Sequence, residues 1–329
     1  MNHHNIVNVL GHNTDLKAES FIDSLSLKGE ILNGLTQAHK SISSKFFYDE
    51  QGSQLFEKIM GLEEYYPTKT ELALLHHIKD ELVFLVGQHQ LLIEPGAGNC
   101  FKVQTLLPSL LPLCYMPIDI SEDFIFNAAK ALQLKFPMID VHAVAGDMQM
   151  DYPVPQSMSH LQKTIFYPGS TIGNYEPEQA LEFLQHIASQ LDNDDGLLIG
   201  VDLEKNIDVL HRAYNDKEGI TALFNLNALN HINSLVDGDF KVETFEHVAF
   251  YNPTMKRIEM HLESTIDQSV RVSDEIIHFN QGERIHTEYS YKYTLASFHV
   301  LAKQAGLKRV KYWVDENHLF SLQYFQRAE

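Results

Sequence analysis

Basic residues are scarce in this chain of 329 residues. Lysine and arginine together number 25, against 44 aspartate and glutamate residues, so the formal net charge at pH 7 is -19. A negative field of this size repels phosphate backbones and anionic lipids, which disfavours nucleic acids and membrane surfaces as partners. A small neutral or zwitterionic substrate is compatible with this charge.

Cysteine is also rare, and the sequence has no long apolar run. The two cysteines, Cys100 and Cys114, fall in predicted core segments and lack the spacing of a disulfide framework or a metal site. No segment stays apolar over the ~20 residues that a bilayer requires, and the N-terminal residues lack a basic stretch followed by an apolar run. We therefore expect a protein of the reducing cytoplasm, and we expect it to be a monomer.

Histidine is abundant, with 18 residues, but its distribution does not favour a metal site. No His-Glu-x-x-His pattern occurs, and the adjacent His76 and His77 would point to different faces of a helix. We predict no metal ligand. The fractions of hydrophobic residues (44%) and charged residues (21%) are typical of a folded globular protein.

From residue 80 onward, apolar runs of strand length alternate with amphipathic runs of helix length, as in a parallel sheet with crossover helices. Five strands are predicted, at 90–94, 114–119, 141–145, 164–167 and 197–202. Helices are predicted between them, at 101–110, 122–136 and 177–191. Upstream, Thr68 and Glu71 have the spacing of a capping box before a long helix. This pattern predicts a doubly wound sheet.

After residue 202 the pattern changes. A helical stretch at 207–235 precedes apparent strands at 242–251 and 257–262, which predict an antiparallel hairpin. A helix at 297–304 and strands at 308–314 and 318–325 predict a terminal hairpin added to the sheet. We therefore expect two domains, one formed by residues 70–204 and 293–329, and the other by residues 17–69 and 205–292.

A glycine-rich turn, Glu94-Pro-Gly-Ala-Gly98, lies between the first predicted strand and a helix. Gly96 and Gly98 allow a tight turn and the close approach of a ligand, although such a turn is weak evidence by itself. Asp119 ends the next strand, where a carboxylate can accept hydrogen bonds from ribose hydroxyls, and Asp147 follows the third, where it can accept one from the adenine amine. These strand ends predict an adenosine pocket.

Both NAD and S-adenosylmethionine contain adenosine, so other residues must discriminate between them. Phe101 occupies the place of the third glycine in a dinucleotide fingerprint. Glu94 is better suited to a cofactor with a sulfonium and an ammonium than to a pyrophosphate, and Lys102 can meet the methionyl carboxylate as a point charge. The loop favours S-adenosylmethionine over a nicotinamide cofactor.

The sequence also resembles the L-histidine Nα-methyltransferases of ergothioneine biosynthesis. The resemblance covers nearly the whole chain from about residue 40, in the order of the family. It is carried by Tyr48-Asp-Glu-Gln-Gly-Ser-Gln-Leu-Phe56, Glu64-Tyr-Tyr-Pro-Thr68, Glu94 to Lys102, Pro117-Ile-Asp-Ile-Ser121, Gly169-Ser-Thr-Ile-Gly-Asn174, Ala213-Tyr-Asn-Asp216, Phe224-Asn-Leu-Asn227, Glu259-Met-His-Leu262 and His286-Thr-Glu-Tyr-Ser290.

The resemblance implies an α/β fold: a class I methyltransferase with a Rossmann-like doubly wound sheet and a second, inserted α+β substrate-binding domain. It further implies S-adenosylmethionine as cofactor and free L-histidine as substrate. The residues that it implies for the cofactor, together with the second loop glycine, are Gly96, Gly98, Lys102, Asp119 and Asp147.

For the substrate, the resemblance implies that Asn174, Tyr214 and Tyr65 bind the carboxylate and backbone. Tyr48 is implied to lie beside the amine and is our candidate catalytic residue. Read without the resemblance, Asn174 could instead cap the helix that begins near residue 177, and the tyrosines could be core residues.

Glu288 and Ser290 are the strongest indication of the substrate's side chain. If their segment is extended, both side chains point to one face, where a carboxylate and a hydroxyl can hold the two nitrogens of an imidazole. The resemblance implies this role, and it implies that Met260 forms an apolar wall of the same pocket.

The sequence departs from the family pattern beside these positions. The loop reads Pro-Gly-Ala-Gly-Asn-Cys where members often have Leu-Gly-Ser-Gly-Thr, and Tyr289 and the Tyr-Lys-Tyr run after Ser290 differ from some members. The alternatives left open are methylation of another aromatic amino acid, a catalytically silent adenosine-binding module and a nicotinamide oxidoreductase.

Overall fold

The computed structural model describes residues 5–8 and 24–328. The chain divides into two compact units. Unit 1 contains residues 67–204 and 292–328 with the short strand at 5–8, and unit 2 contains residues 24–66 and 205–291. The assignment of the cofactor to one part of the chain and of the substrate to the other stays a prediction.

The strands are numbered in chain order. They are β1 (Asn5–Asn8), β2 (Leu91–Pro95), β3 (Cys114–Asp119), β4 (Asp140–Ala145), β5 (Lys163–Tyr167), β6 (Gly196–Asp202), β7 (Phe245–Asn252), β8 (Arg257–Ser264), β9 (Gln268–Val272), β10 (Glu275–Phe279), β11 (Arg284–Tyr291), β12 (Leu307–Val314) and β13 (Phe320–Arg327).

The α-helices are numbered in the same way. They are α1 (Ser24–Leu35), α2 (Glu50–Gly61), α3 (Tyr66–Val86), α4 (Leu107–Leu110), α5 (Glu122–Lys135), α6 (Pro177–Ser189), α7 (Ile207–Tyr214), α8 (Ile220–Val236) and α9 (Leu295–Gln304). Among the residues that the structure describes, none of these helices is both long and apolar enough to cross a bilayer.

Unit 1 is built on a sheet with the strand order β1-β4-β3-β2-β5-β6-β13-β12. The strands from β4 to β6 run parallel, while β13 lies antiparallel between β6 and β12. Every residue of β2 and of β6 is buried, as expected for parallel strands that are covered on both faces. The predicted doubly wound sheet and its terminal hairpin are confirmed.

Alternate residues of the parallel strands pack into two separate cores. Leu92 of β2 joins the core that includes Leu75 of α3, whereas its neighbour Leu91 joins the core that includes Leu184 of α6 and Phe298 of α9. Helices therefore cover both faces, and the carboxyl ends of the parallel strands are left at one edge of the sheet.

Unit 2 is built on an antiparallel sheet with the strand order β11-β8-β7, beside a hairpin of β9 and β10. The predicted hairpin of β7 and β8 is confirmed. Helix α8 packs against α2 and against β7 and β8. The pairing of β11 with β8 is regular except for a register shift between His286 and Glu288.

Two helix predictions need correction because the chain is interrupted. The segment predicted as one helix at 101–110 forms a short 3-10 helix, Lys102–Thr105, followed by α4, whose first turn contains Pro108. The stretch predicted at 207–235 is split into α7 and α8. Gly219 has a φ of 70° there, and the Asp216 carboxylate accepts hydrogen bonds from the amides of Ile220 and Thr221.

The predicted capping box at Thr68 and Glu71 is wrong. Helix α3 already begins at Tyr66, so both residues lie inside the helix. Glu71 is completely buried, on the same stripe of the helix as Leu75, Ile78 and Leu82. Its carboxylate therefore serves the interior of unit 1 rather than the end of the helix.

A buried ion pair lies where the chain returns to unit 1. The Nζ atom of Lys292 is 2.7 Å from the Asp202 carboxylate, and both side chains are almost completely buried. The amide of Asp202 donates to the Ser170 hydroxyl, and the amide of Tyr293 donates to the Asp202 carbonyl. The end of β6 is thus tied both to the returning chain and to the turn after β5.

Lys292→Met should destabilise the protein strongly, because it leaves the buried Asp202 carboxylate without this cation. Loss of one partner of a buried pair costs about 3–5 kcal/mol, which urea denaturation can measure. Lys28→Met, which breaks the exposed pair of Lys28 with Asp274, is the control and should have little effect. Equal effects of the two variants would contradict the prediction.

Candidate active site

The glycine turn after β2 is held by the neighbouring strand. The amides of Gly96 and Ala97 both donate to the Ile118 carbonyl, at 2.8 and 3.0 Å. Gly96 and Gly98 have φ values of 69° and 54°, a region that favours glycine. A Cβ atom at Gly98 would have no atom within 4 Å, so this part of the turn is open to an approaching ligand.

Asp119 connects the glycine turn to the end of β3. One carboxylate oxygen accepts from the Gly98 amide at 2.9 Å and the other from the Ser121 amide at 3.0 Å. Burial raises the pKa of Asp119, while the hydrogen bonds from Ser121 and Gly98 act in the opposite direction. The sequence-predicted Gly98 and Asp119 therefore lie in direct contact.

Asp147 lies at the same edge of the sheet. The amide of Gly146 donates to the Asp119 carbonyl at 2.9 Å, which joins the ends of β3 and β4. The Asp147 side chain is exposed, and it accepts from the Gln149 amide at 2.9 Å. The structure thus brings together the glycine turn and both predicted strand-end carboxylates.

Glu71 is a site neighbour that the sequence interpretation missed. Its carboxylate accepts from the Gly169 amide, at 2.8 and 3.0 Å, and lies 2.7 Å from Nζ of Lys102. It therefore joins α3 to the segment after the glycine turn and to the turn after β5. An acidic residue at an apolar position of a predicted helix could have indicated this role, but Glu71 was assigned to a capping box instead.

Glu94 lies buried beneath the glycine turn. Burial raises its pKa to about 8, although a hydrogen bond from the Tyr115 hydroxyl acts in the opposite direction. The sequence interpretation related Glu94 to a cationic cofactor. In the structure, the Glu94 carboxyl accepts a hydrogen bond from Tyr115 in the interior of the protein. The buried Cys100 thiol also lies near Tyr115.

Asn174 ends a short 3-10 helix, Thr171–Asn174, in the turn after β5. Ser170 begins this turn with a φ of 57°, and its carbonyl accepts from the Gly173 amide at 2.8 Å. Helix α6 has Glu176 rather than Asn174 at its N-cap, and the Glu176 amide donates to the Gln179 side chain. The alternative interpretation of Asn174 as the cap of this helix is therefore wrong.

Unit 2 contains a row of aromatic rings that joins the predicted catalytic residue, Tyr48, to two of the predicted substrate residues, Tyr65 and Tyr214. Ring centroids are 5.8 Å apart for Tyr48 and Phe56, and 6.4 Å apart both for Phe56 and Tyr65 and for Tyr65 and Tyr214. Phe224 lies 5.7 Å from both Tyr48 and Phe56. The two phenylalanines were not predicted as site residues.

The other predicted substrate residues of unit 2 lie at the end of this row. Glu288 of β11 pairs directly with Met260 of β8, and Ser290 follows on the same face. The Tyr214 hydroxyl donates to Oγ of Ser290 at 2.7 Å. Met260 and Ser290 are buried, and Glu288 is half-buried. A carboxylate, a hydroxyl and a thioether therefore share one face of the sheet, and the phenol of Tyr214 from α7 is bonded to the hydroxyl.

Asn227 fixes the position of the segment that carries Tyr48. Its side-chain amide donates to the Asp49 carboxylate at 2.7 Å, and Asp49 caps α2 by accepting from the Gly52 amide. A Cβ atom at Gly52 would lie 1.6 Å from the Phe47 carbonyl oxygen, so the turn requires glycine. An aspartate before a helix can be recognised in the sequence as a cap, but its hydrogen bond to a residue of α8 cannot.

The fold and the similarity of the chain to known proteins identify an S-adenosylmethionine-dependent N-methyltransferase. A family model described as "Histidine-specific methyltransferase, SAM-dependent" matches residues 27–327. The chain belongs to this family, which confirms the resemblance found in the sequence.

Individual relatives agree with this membership. The chain is 36% identical to a histidine N-alpha-methyltransferase of Mycolicibacterium smegmatis, over 90% of this chain and 94% of the relative. It is 30% identical to ergothioneine biosynthesis protein 1 of Neurospora crassa, over 84% of this chain and 32% of that longer protein. It is 26% identical to a 4-dimethylallyltryptophan N-methyltransferase of Aspergillus fumigatus, over 88% of this chain and 90% of the relative.

Glu94→Gln should alter the pH dependence of stability. Because the pKa of Glu94 is raised from 4.5 to about 8, the unfolded chain loses this proton at lower pH than the folded protein does. The wild type should therefore lose stability relative to the variant as the pH rises from about 5 to 8. Urea denaturation of the two proteins at several pH values measures the difference, and a constant difference would contradict the prediction.

Proposed function

We propose that the protein transfers a methyl group from S-adenosylmethionine to the α-amino nitrogen of free L-histidine. The observation that carries this proposal is the shared face of Glu288, Ser290 and Met260, with Ser290 held by Tyr214. The family and the relatives support it.

The chemistry of this face matches an imidazole. A neutral imidazole has one nitrogen that donates a hydrogen bond and one that accepts. The Glu288 carboxylate can accept from the first. The Ser290 oxygen accepts the bond from Tyr214, so toward a ring nitrogen its hydroxyl acts as a donor. An indole has a single nitrogen, and a phenyl ring has none, so either would leave part of this pair unsatisfied.

The residues at the edge of the sheet in unit 1 fit S-adenosylmethionine. We propose that Asp119 and Asp147 bind the ribose and adenine, that Gly96 and Gly98 allow the cofactor to approach the backbone, and that Lys102 binds the methionyl carboxylate. An ammonium has three hydrogens to donate, so its ion pair with Glu71 is compatible with this role. When bound, the cofactor supplies the electrophilic methyl group.

The amine must be neutral to attack. A free α-amine has a pKa of about 8 and is largely protonated at neutral pH, so the site must take up a proton before each transfer. We propose that Tyr48 orients the nitrogen, with Asn174, Tyr65 and Tyr214 binding the substrate backbone. The aromatic rings around Tyr48 suit a methylated ammonium, because such cations bind to aromatic faces. We propose three successive transfers, which give the trimethyl betaine.

The remaining predictions concern the location, the oligomeric state and the partners of the enzyme. A cytoplasmic location, a monomeric state and the lack of nucleic-acid and membrane partners stay predictions. Methylation of another aromatic amino acid is the alternative activity, and it is an outcome of the following test.

Histidine should be the amino acid methylated when the protein is incubated with S-adenosylmethionine and a mixture of free amino acids. Mass spectrometry should detect histidine with up to three added methyl groups. Asp119→Ala should lose methylation of every amino acid because it weakens cofactor binding. Methylation of another amino acid, or of none by the wild type, would refute the proposed substrate.

Tyr48→Phe should lower kcat by about 100-fold, the lower end of the range for loss of one group that assists proton transfer. The dissociation constant of S-adenosylmethionine should not change. The control is Tyr312→Phe, which removes the same hydroxyl from an exposed tyrosine of β12 and should leave kcat unchanged. Unchanged turnover of Tyr48→Phe would remove this hydroxyl from the mechanism.

A further inference from the structure

We propose that Thr287 and Asn225 are positioning residues for histidine recognition. They hold a one-residue bulge in β11, and this bulge turns Glu288 and Ser290 toward the Met260 face of the sheet. The inference rests on the proposed function, since it concerns how the imidazole-binding pair is aimed.

The bulge is visible in the pairing of β11 with β8. Ile285 pairs with Leu262 and His286 with His261, but the next pair is Glu288 with Met260. Thr287 is therefore an extra residue without a partner position on β8. Such an insertion shifts the phase of the strand, so that residues after it exchange faces relative to regular pairing.

Regular pairing would remove the predicted substrate residues from their shared face. If Thr287 instead paired with Met260, Glu288 would stand opposite Glu259 and Ser290 opposite Arg257. That face already carries the ion pair between Arg257 and Glu259, at 2.8 Å. The Glu288 carboxylate would then lie beside the Glu259 carboxylate rather than beside Met260. The bulge therefore decides which face Glu288 and Ser290 occupy.

A buried polar network holds the bulge. Thr287 and Asn225 are 1% and 0% exposed, and the Thr287 hydroxyl donates to Oδ1 of Asn225 at 2.8 Å. The side-chain amide of Asn225 donates to the His261 carbonyl at 2.9 Å and lies 2.8 Å from Nδ1 of His247. One side chain of α8 thus bonds to β11, β8 and β7.

The same network reaches Tyr214. Because Nδ1 of His247 accepts from Asn225, its Nε2 carries the proton and donates to the Tyr214 carbonyl at 2.9 Å. Burial lowers the pKa of His247, in agreement with a neutral ring. Asn225 therefore acts on both partners of the bond between Tyr214 and Ser290.

The backbone before the bulge is fixed from the other edge of β11. The His286 amide donates to the Lys40 carbonyl at 2.8 Å, and the Ile42 amide donates to the His286 carbonyl at 2.9 Å. The segment that ends at His286 is thus anchored on both sides. The hydrogen bond from the Thr287 hydroxyl to Asn225 then fixes Thr287, the one residue that has no partner on β8.

The test separates the Thr287 hydroxyl from its packing. Thr287→Val keeps the shape but leaves Oδ1 of Asn225 without this donor, whereas Thr287→Ser keeps the hydroxyl and loses a methyl group. We expect Thr287→Val to raise the KM for histidine about tenfold or more, as for loss of a partner by a buried acceptor. Thr287→Ser should restore a KM near that of the wild type, and the dissociation constant of S-adenosylmethionine should stay constant in both.

Three outcomes are distinguishable. If the wild type methylates no histidine, the proposed function fails before any variant is compared. If it does, equal KM values for Thr287→Val and Thr287→Ser, or a parallel change in cofactor binding, overturn the positioning role. If Thr287→Val does not fold, Thr287→Ala against Thr287→Ser applies the same test, because these two differ only in the hydroxyl, and equal KM values again overturn the proposal.

Discussion

Polar groups inside this protein lie where water cannot reach them, so each needs a partner within the chain. Glu71 meets this requirement by binding the Gly169 amide and the Lys102 ammonium, and Lys292 meets it by pairing with Asp202. In unit 2, the Asn225 amide and carbonyl bind groups on separate strands. Each of these side chains also joins segments of the chain that are distant in sequence. The loops that carry the predicted site residues are positioned by such buried contacts.

The parallel sheet was predictable because burial on both faces gives a simple pattern. The strand at 114–119 was predicted with the bounds that the structure has, since apolar runs of this length between amphipathic segments have few other interpretations. The glycine turn and Asp119 followed from their places at the strand ends, where the topology brings them together. Local sequence was sufficient in these cases because the constraint itself was local.

Other features depended on partners that are far away in sequence. Glu71 matched a capping pattern, yet helix α3 starts earlier and its carboxylate binds a turn about a hundred residues further on. The segment at 101–110 has helical spacing, but Pro108 prevents one continuous helix, and α4 ends before Leu111, which has a φ of 43°. Asn225 and Thr287 lie within segments that resemble the family, but the bulge that links them is a property of strand pairing. A sequence alone does not reveal which residue a ladder omits.

The bulge in β11 has a consequence for how the pocket of this enzyme can change. Substitution alters one side chain at a time, whereas a one-residue slip of the pairing at Thr287 exchanges the sets of side chains on the two faces of the following strand. If Thr287 paired with Met260, Thr287 and Tyr289 would take the places of Glu288 and Ser290, opposite Met260 and Ile258, whereas deletion of Thr287 would leave Glu288 and Ser290 where they are. A one-residue slip in strand pairing is therefore a route by which an aromatic side chain replaces a polar one on this face without any new residue.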